Sequence, residues 1–136
     1  MTGTVRFTLK ALASILLLVL GITIATADQP PVRLETLMKT PLALDENIEL
    51  TISYVEIGPD LSLPKHYHPG EEYVYLLEGE AILWQQGKAD TPMTAGQVVK
   101  IPLEQVHAAS TGSEVAKALV FRVHRKGEPE RILVPE

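Results

Sequence analysis

The chain has 136 residues, 46% of them hydrophobic, and a formal charge of −5, which is long enough for one domain with its own core. It contains no cysteine, so a disulfide scaffold, a thiolate nucleophile and cysteine-ligated zinc are excluded. The acidic balance, with no basic cluster, argues against nucleic acid and anionic membrane surfaces as partners.

Arg6 and Lys10 are the only charged side chains before Asp28. Ala11 to Ile24 is an almost unbroken apolar run, and Ala25-Thr26-Ala27 places small residues before Asp28. A positive start, a short apolar stretch and a small-residue end describe a secretory signal peptide, expected over residues 1–27 with cleavage after Ala27. The run is shorter than the roughly 20 apolar residues of a spanning helix, so no membrane span is expected after cleavage. Residues 28–136 then form one domain, periplasmic or secreted. Without Arg6 and Lys10, 17 acids face 10 bases, a formal charge of −7.

Leu34 to Met38 is a weak strand candidate. Ile48 to Tyr54 alternates cleanly, with Ile48, Leu50, Ile52 and Tyr54 on one side and Glu49, Thr51 and Ser53 on the other, the pattern of a half-buried strand. Glu72 to Leu77 is aromatic and branched, and Ala81 to Trp84 follows at once, so the two read as a hairpin turning near Gly79. Gln97 to Ile101, Val106 to Thr111 and Ala116 to Val123 are further strands, and Ile132 to Val134 is a weak one. Many short strands with turn residues between them predict an all-β sandwich or barrel.

The chain has four histidines, and three of them, His66, His68 and His107, join Glu72 in a constellation with metal-ligand chemistry. His66 and His68 are two apart, so on a strand both face the same way. Glu72 opens the next strand, and His107 lies on another. Three imidazoles and one carboxylate suit a divalent first-row ion: Fe, Mn, Ni, Cu or Zn. In an octahedral field such a shell leaves two positions open for water or a substrate's oxygen atoms.

These residues resemble the two motifs of the cupin superfamily. The first ends in His-x-His, three or four residues, Glu, six residues, Gly; here it is His66-Tyr67-His68, three residues, Glu72, six residues, Gly79. The second begins with Gly, five residues, Pro and then a His; here Gly96, Pro102 and His107 fill those places. Three positions depart from the pattern. Asp60 and its neighbour Pro59 stand near the first motif's leading Gly, Glu104 replaces the second motif's inner Gly, and Thr111 replaces its Asn. All three are turn or packing positions rather than ligand positions. The resemblance implies a single-domain jelly-roll β-barrel of the small cupin type, with one ion held inside by His66, His68, Glu72 and His107. It also implies a homodimer, for which the edges near Val32–Met38 or Ile132–Val134 offer strand addition.

Other residues carry less. Tyr54, Tyr73, Tyr75, Trp84 and Phe121 read as core, with a pocket wall as the alternative. By parity with Glu72, Val74 and Leu76 point inward and Tyr73 and Tyr75 outward, while Ala109 and Thr111 share the face of His107. Arg122 and His124 read as a solvated face, with the cavity as the alternative. Glu71 and Glu104 read as loop charges, with a gate to the cavity as the alternative. No Ser-His-Asp arrangement or phosphate-binding glycine loop is present.

The sequence therefore predicts an exported cupin that binds one divalent transition metal and a small-molecule ligand. Its expected activity is a dioxygenase-like oxidation of a small oxygenated organic compound. The alternatives are a non-catalytic periplasmic module for a metal or small ligand, and a metal-free isomerase or epimerase. No catalytic residue apart from the ligands is identifiable.

Overall fold

A computed structural model describes residues 31–135 of the chain; the expected signal peptide lies outside them. The described residues form ten strands and no helix: β1 (Val32–Leu42), β2 (Asp45–Ile57), β3 (His66–Tyr67), β4 (Gly70–Glu78), β5 (Glu80–Gln85), β6 (Thr91–Thr94), β7 (Val98–Ile101), β8 (His107–Ser110), β9 (Ala116–Arg125) and β10 (Ile132–Leu133). They pair in two antiparallel five-stranded sheets, ordered β1-β2-β9-β4-β7 and β10-β3-β8-β5-β6. This is the all-β jelly-roll barrel that the sequence predicts, with β1 and β10 at sheet edges. No helix among the described residues is long and apolar enough to cross a membrane.

The expected hairpin at Gly79 is not one. β4 pairs with β9 and β7, whereas β5 pairs with β8 and β6. Gly79 is the corner where the chain leaves one sheet for the other. Its φ of +77° favours glycine, and an added Cβ would collide with the carbonyl oxygen of Val115. The tight hairpin lies elsewhere: β1 returns into β2 across Ala43-Leu44, with Leu42 opposite Asp45. Asp45 Oδ1 accepts the Asn47 backbone N–H at 2.9 Å and fixes that turn.

β2 alternates as expected. Its polar side, Glu49, Thr51 and Ser53, is fully buried, and Ile48, Leu50, Ile52 and Tyr54 are half-buried on the outside. Alternation fixes which residues share a face and leaves open which face the partner sheet covers. Here the interior is polar at one end and apolar at the other. Val55, Ile57, Leu76, Leu83 and Val120 make up much of the apolar end.

One strand escapes the sequence reading. β6 contains Pro92 and runs along the outer edge of its sheet, where a missing N–H costs no ladder bond. β3 is only two residues long, yet its His66 pairs with His107 of β8.

Candidate metal centre

His66 leaves β3 and His107 leaves β8 as direct cross-strand partners, so both rings reach inward from one sheet. Glu72 comes from the opposite sheet, in an inward row with Arg122 of β9 and Thr51 of β2. His68 follows β3 and keeps the two-residue parity with His66. The three imidazoles are buried, their ligand atoms within 4.8 Å of one another. Ring centroids are 4.3 Å apart for His66 and His107, 4.9 Å for His66 and His68, and 5.2 Å for His68 and His107.

All three Nδ1 atoms face backbone carbonyls. His66 Nδ1 meets Pro64 O at 2.8 Å, His107 Nδ1 meets Gln105 O at 2.8 Å, and His68 Nδ1 meets Glu130 O. A carbonyl only accepts, so each Nδ1 carries a proton, and Nε2 is the nitrogen turned toward the site. Burial, with help from His107 and His68, pushes His66 down to about 4 against the raising effect of the Pro64 carbonyl. That ring is neutral at neutral pH.

Glu72 completes the site. Its Oε2 lies 2.9 Å from His68 Nε2, and its Oε1 lies 3.5 Å from His107 Nε2. Burial disfavours the ionised carboxyl, yet His107, His68 and the Arg122 guanidinium hold it well below the usual carboxylate range. With Nδ1 turned to the carbonyls, the buried Nε2 atoms of His68 and His107 face the Glu72 oxygens. A proton or a metal cation between these groups removes the repulsion of nitrogen lone pair and carboxylate. The donor set therefore fits a divalent ion, held by neutral imidazoles whose other nitrogens are oriented by carbonyls.

Next to the centre lies a cavity of about 540 Å³. Val74, Leu76 and Ala109 line it as the parity argument predicts, together with Met93, Ala118 and Val120. Tyr54, Tyr73, Tyr75, Trp84 and Phe121 do not line it; Tyr75, for instance, is exposed on the outer face.

The reading of Arg122 and His124 as a solvated face is wrong. Both are buried, and Arg122 lines the cavity with its Nε 2.7 Å from Glu72 Oε2. Arg122 shares the inward face of β9 with Val120 and His124, and the buried Glu72 carboxylate beside it compensates its charge. His124 lies outside the ligand cluster, its Nε2 3.6 Å from Glu49 Oε1, which also takes Lys39 Nζ at 3.1 Å.

Glu71 sits on β4 rather than in a loop, bound by Lys100 and by the Tyr73 hydroxyl. Glu104 does occupy a turn, at φ 58°, and its N–H reaches His68 O at 3.1 Å. Thr111 turns away from the cavity; its Oγ1 donates to Gly58 O at 2.6 Å. Glu130 also lines the cavity, and no motif in the sequence marked it.

The cupin domain family matches residues 53–122, a stretch that contains both motifs and all four ligand candidates. Among solved structures, the chain is similar to the DMSP lyase DddQ from Ruegeria pomeroyi DSS-3, at 29% identity and a TM-score of 0.58, covering 62% of this chain and 43% of that one. The match thus spans less than half the length of that lyase. A cupin 2 conserved barrel domain protein from Salinispora arenicola CNS-205 is 26% identical at a TM-score of 0.54, over 67% of this chain and 74% of that one. A cupin-like protein from Thermotoga maritima MSB8, 19% identical with a TM-score of 0.63 and 77% of each chain covered, shares the fold. No curated protein sequence matches the chain.

Proposed function

This chain belongs to the cupin domain family, and we propose that it holds one divalent transition metal through His66, His68, Glu72 and His107 and acts there on a small oxygenated organic compound as a dioxygenase-like oxidoreductase. The observation that carries this reading is the convergence of three imidazoles and a carboxylate on one buried point at the wall of an apolar cavity. An ion of Fe, Mn, Ni, Cu or Zn supplies Lewis acidity there and, where it is redox-active, electrons. The protein's own groups do the rest. Arg122 keeps Glu72 ionised and oriented, the Pro64, Gln105 and Glu130 carbonyls fix the imidazole tautomers, and Val74, Leu76, Ala118 and Val120 exclude water from the bound compound.

Oxygen consumption is the test. Protein reconstituted with each of the five metals is offered phenolic and dicarbonyl compounds in an oxygen electrode. Turnover that stops when oxygen is removed supports the proposal. Silence with every metal, with tight binding by calorimetry, overturns the oxidase reading in favour of a binding module.

A second reading is elimination by a lyase, favoured by the 29% identity to the DMSP lyase. Conversion of DMSP without oxygen consumption would establish it.

Export and pairing of two copies belong to the same proposal. Export is supported by residues 1–27 alone, and an N-terminus at Asp28 in the exported protein tests it. Pairing is supported by the edge of β1, which no strand among the described residues covers and where Leu34, Leu37 and Met38 are exposed; a monomeric mass in solution would overturn it.

A further inference from the structure

His66 and His107 are oriented from within their own segments: each Nδ1 meets the carbonyl two residues upstream. His68 differs. Its Nδ1 meets the carbonyl of Glu130, 62 residues further along the chain. His68 also lies just past the end of β3, between that strand and the Pro69-Gly70 break. Nothing in its own strand sets its ring.

Glu130 belongs to a strap that leaves β9 and crosses to the other sheet. Glu128 N donates to Arg125 O at 3.3 Å at one end, and Val134 N donates to Lys65 O at 3.0 Å at the other. Between them, Ile132 and Leu133 pair with Tyr67 and His66. The Glu130 side chain faces two cations of the first sheet. Its Oε1 is 3.4 Å from Lys39 Nζ, and its Oε2 is 4.0 Å from Arg122 Nη1. Arg122 in turn holds Glu72. One residue thus touches the support of two ligand candidates, His68 by its backbone and Glu72 through Arg122. Glu130 also lines the cavity, so a bound compound meets the strap.

We infer that Glu130 is a positioning residue: its carboxylate latches the strap to Lys39 and Arg122, and the latched strap holds His68 and Glu72 in their metal-binding arrangement. This rests on the metal reading above. Lys39 and Glu130 are 46% and 36% exposed, and ion pairs that open to solvent contribute little to stability. The latch therefore acts on the position of the ligands and leaves the folding free energy nearly unchanged.

The test is the rate at which zinc leaves the protein into excess chelator, with the visible spectrum of the cobalt-loaded form alongside. Glu130→Gln keeps the shape and removes the charge. Lys39→Met removes the partner from β1 and leaves the strap's sequence intact, so a folding defect in one variant does not remove the test. Both should release zinc about tenfold faster, the scale seen when a group supporting a ligand is lost, with shifted cobalt bands; the unfolding midpoint should stay unchanged in Glu130→Gln, whereas Lys39→Met also strips the buried Glu49 carboxylate of its lysine and lowers it. Glu130→Asp should recover part of the wild-type rate. Glu114→Gln, which removes the same charge from an exposed loop, should behave as wild type. Release at the wild-type rate from both variants overturns the inference. Failure of the wild-type protein to take up zinc, cobalt or any other of these metals overturns the metal reading itself, which is a separate result.

Discussion

Arg122 Nε lies 2.7 Å from Glu72 Oε2, on two residues that are direct cross-strand partners of β9 and β4. Both side chains are buried, so the pair is shielded from water, and removing one member leaves the other charge uncompensated. Arg122→Met should destabilise the metal-free protein by about 3–5 kcal/mol, the usual cost of breaking a buried pair. A bound divalent ion restores a positive neighbour to Glu72. Saturating zinc should therefore raise the urea midpoint of the variant more than that of the wild type. Equal increments would show that the ion does not sit beside Glu72.

Gly70 precedes Glu72 by two residues and packs where β4 meets β9. A Cβ there would collide with the carbonyl oxygen of Val123 and with the Cα and Cβ of His124. Neither backbone group can move without parting the two strands that place Glu72 and Arg122. Gly70→Ala should cost roughly 2–3 kcal/mol in denaturant unfolding, at the upper end of overpacking effects, and should weaken zinc binding as well. A variant with wild-type stability would mean that this contact is relaxed in solution.

The ligand set was legible because its members lie at fixed spacings within two short motifs, and ligand chemistry restricts the residue types. The inward parity of Val74 and Leu76 followed from Glu72 by the two-residue repeat alone. What lay beyond local pattern was pairing between distant segments. Gly79 looks like a hairpin turn because strand-rich residues flank it, and only the pairing of β4 with β9 and of β5 with β8 shows that it is a corner. The burial of Glu49, Thr51 and Ser53 depends on which side of β2 the second sheet covers. Glu130 carries no motif, and its role arises from a contact 62 residues away in sequence.

Glu104 replaces a glycine of the family pattern, and its φ is 58°, in the left-handed region. A side chain there costs about 1–2 kcal/mol. Glycine at the same place would remove that strain but adds freedom to the unfolded chain, worth about 0.4–1 kcal/mol. The difference predicts that Glu104→Gly stabilises the protein by about 0.5 kcal/mol, read as a higher thermal midpoint. The turn donates a backbone N–H to His68 O, which does not need the side chain, so zinc affinity should stay unchanged. Destabilisation would show that the Glu104 carboxylate makes a compensating interaction in solution.

Ala118 separates the cavity from the metal centre experimentally. It lies inward on β9 four residues before Arg122 and opposite Leu76, which lies four residues beyond Glu72 on β4. At about 3.3 Å per strand residue, that places it roughly 13 Å along the strand from the ligand row. Ala118 lines the cavity, so a larger side chain there projects into space that a ligand would use. Ala118→Leu should leave the zinc dissociation constant unchanged and preserve or slightly raise stability, because it adds buried apolar area without displacing packed atoms. Binding of catechol, a simple phenolic probe, to the zinc-loaded protein should weaken at least tenfold by calorimetry. If catechol binds the wild-type protein and binds the variant equally well, the compound occupies some other surface and the cavity is not the substrate site.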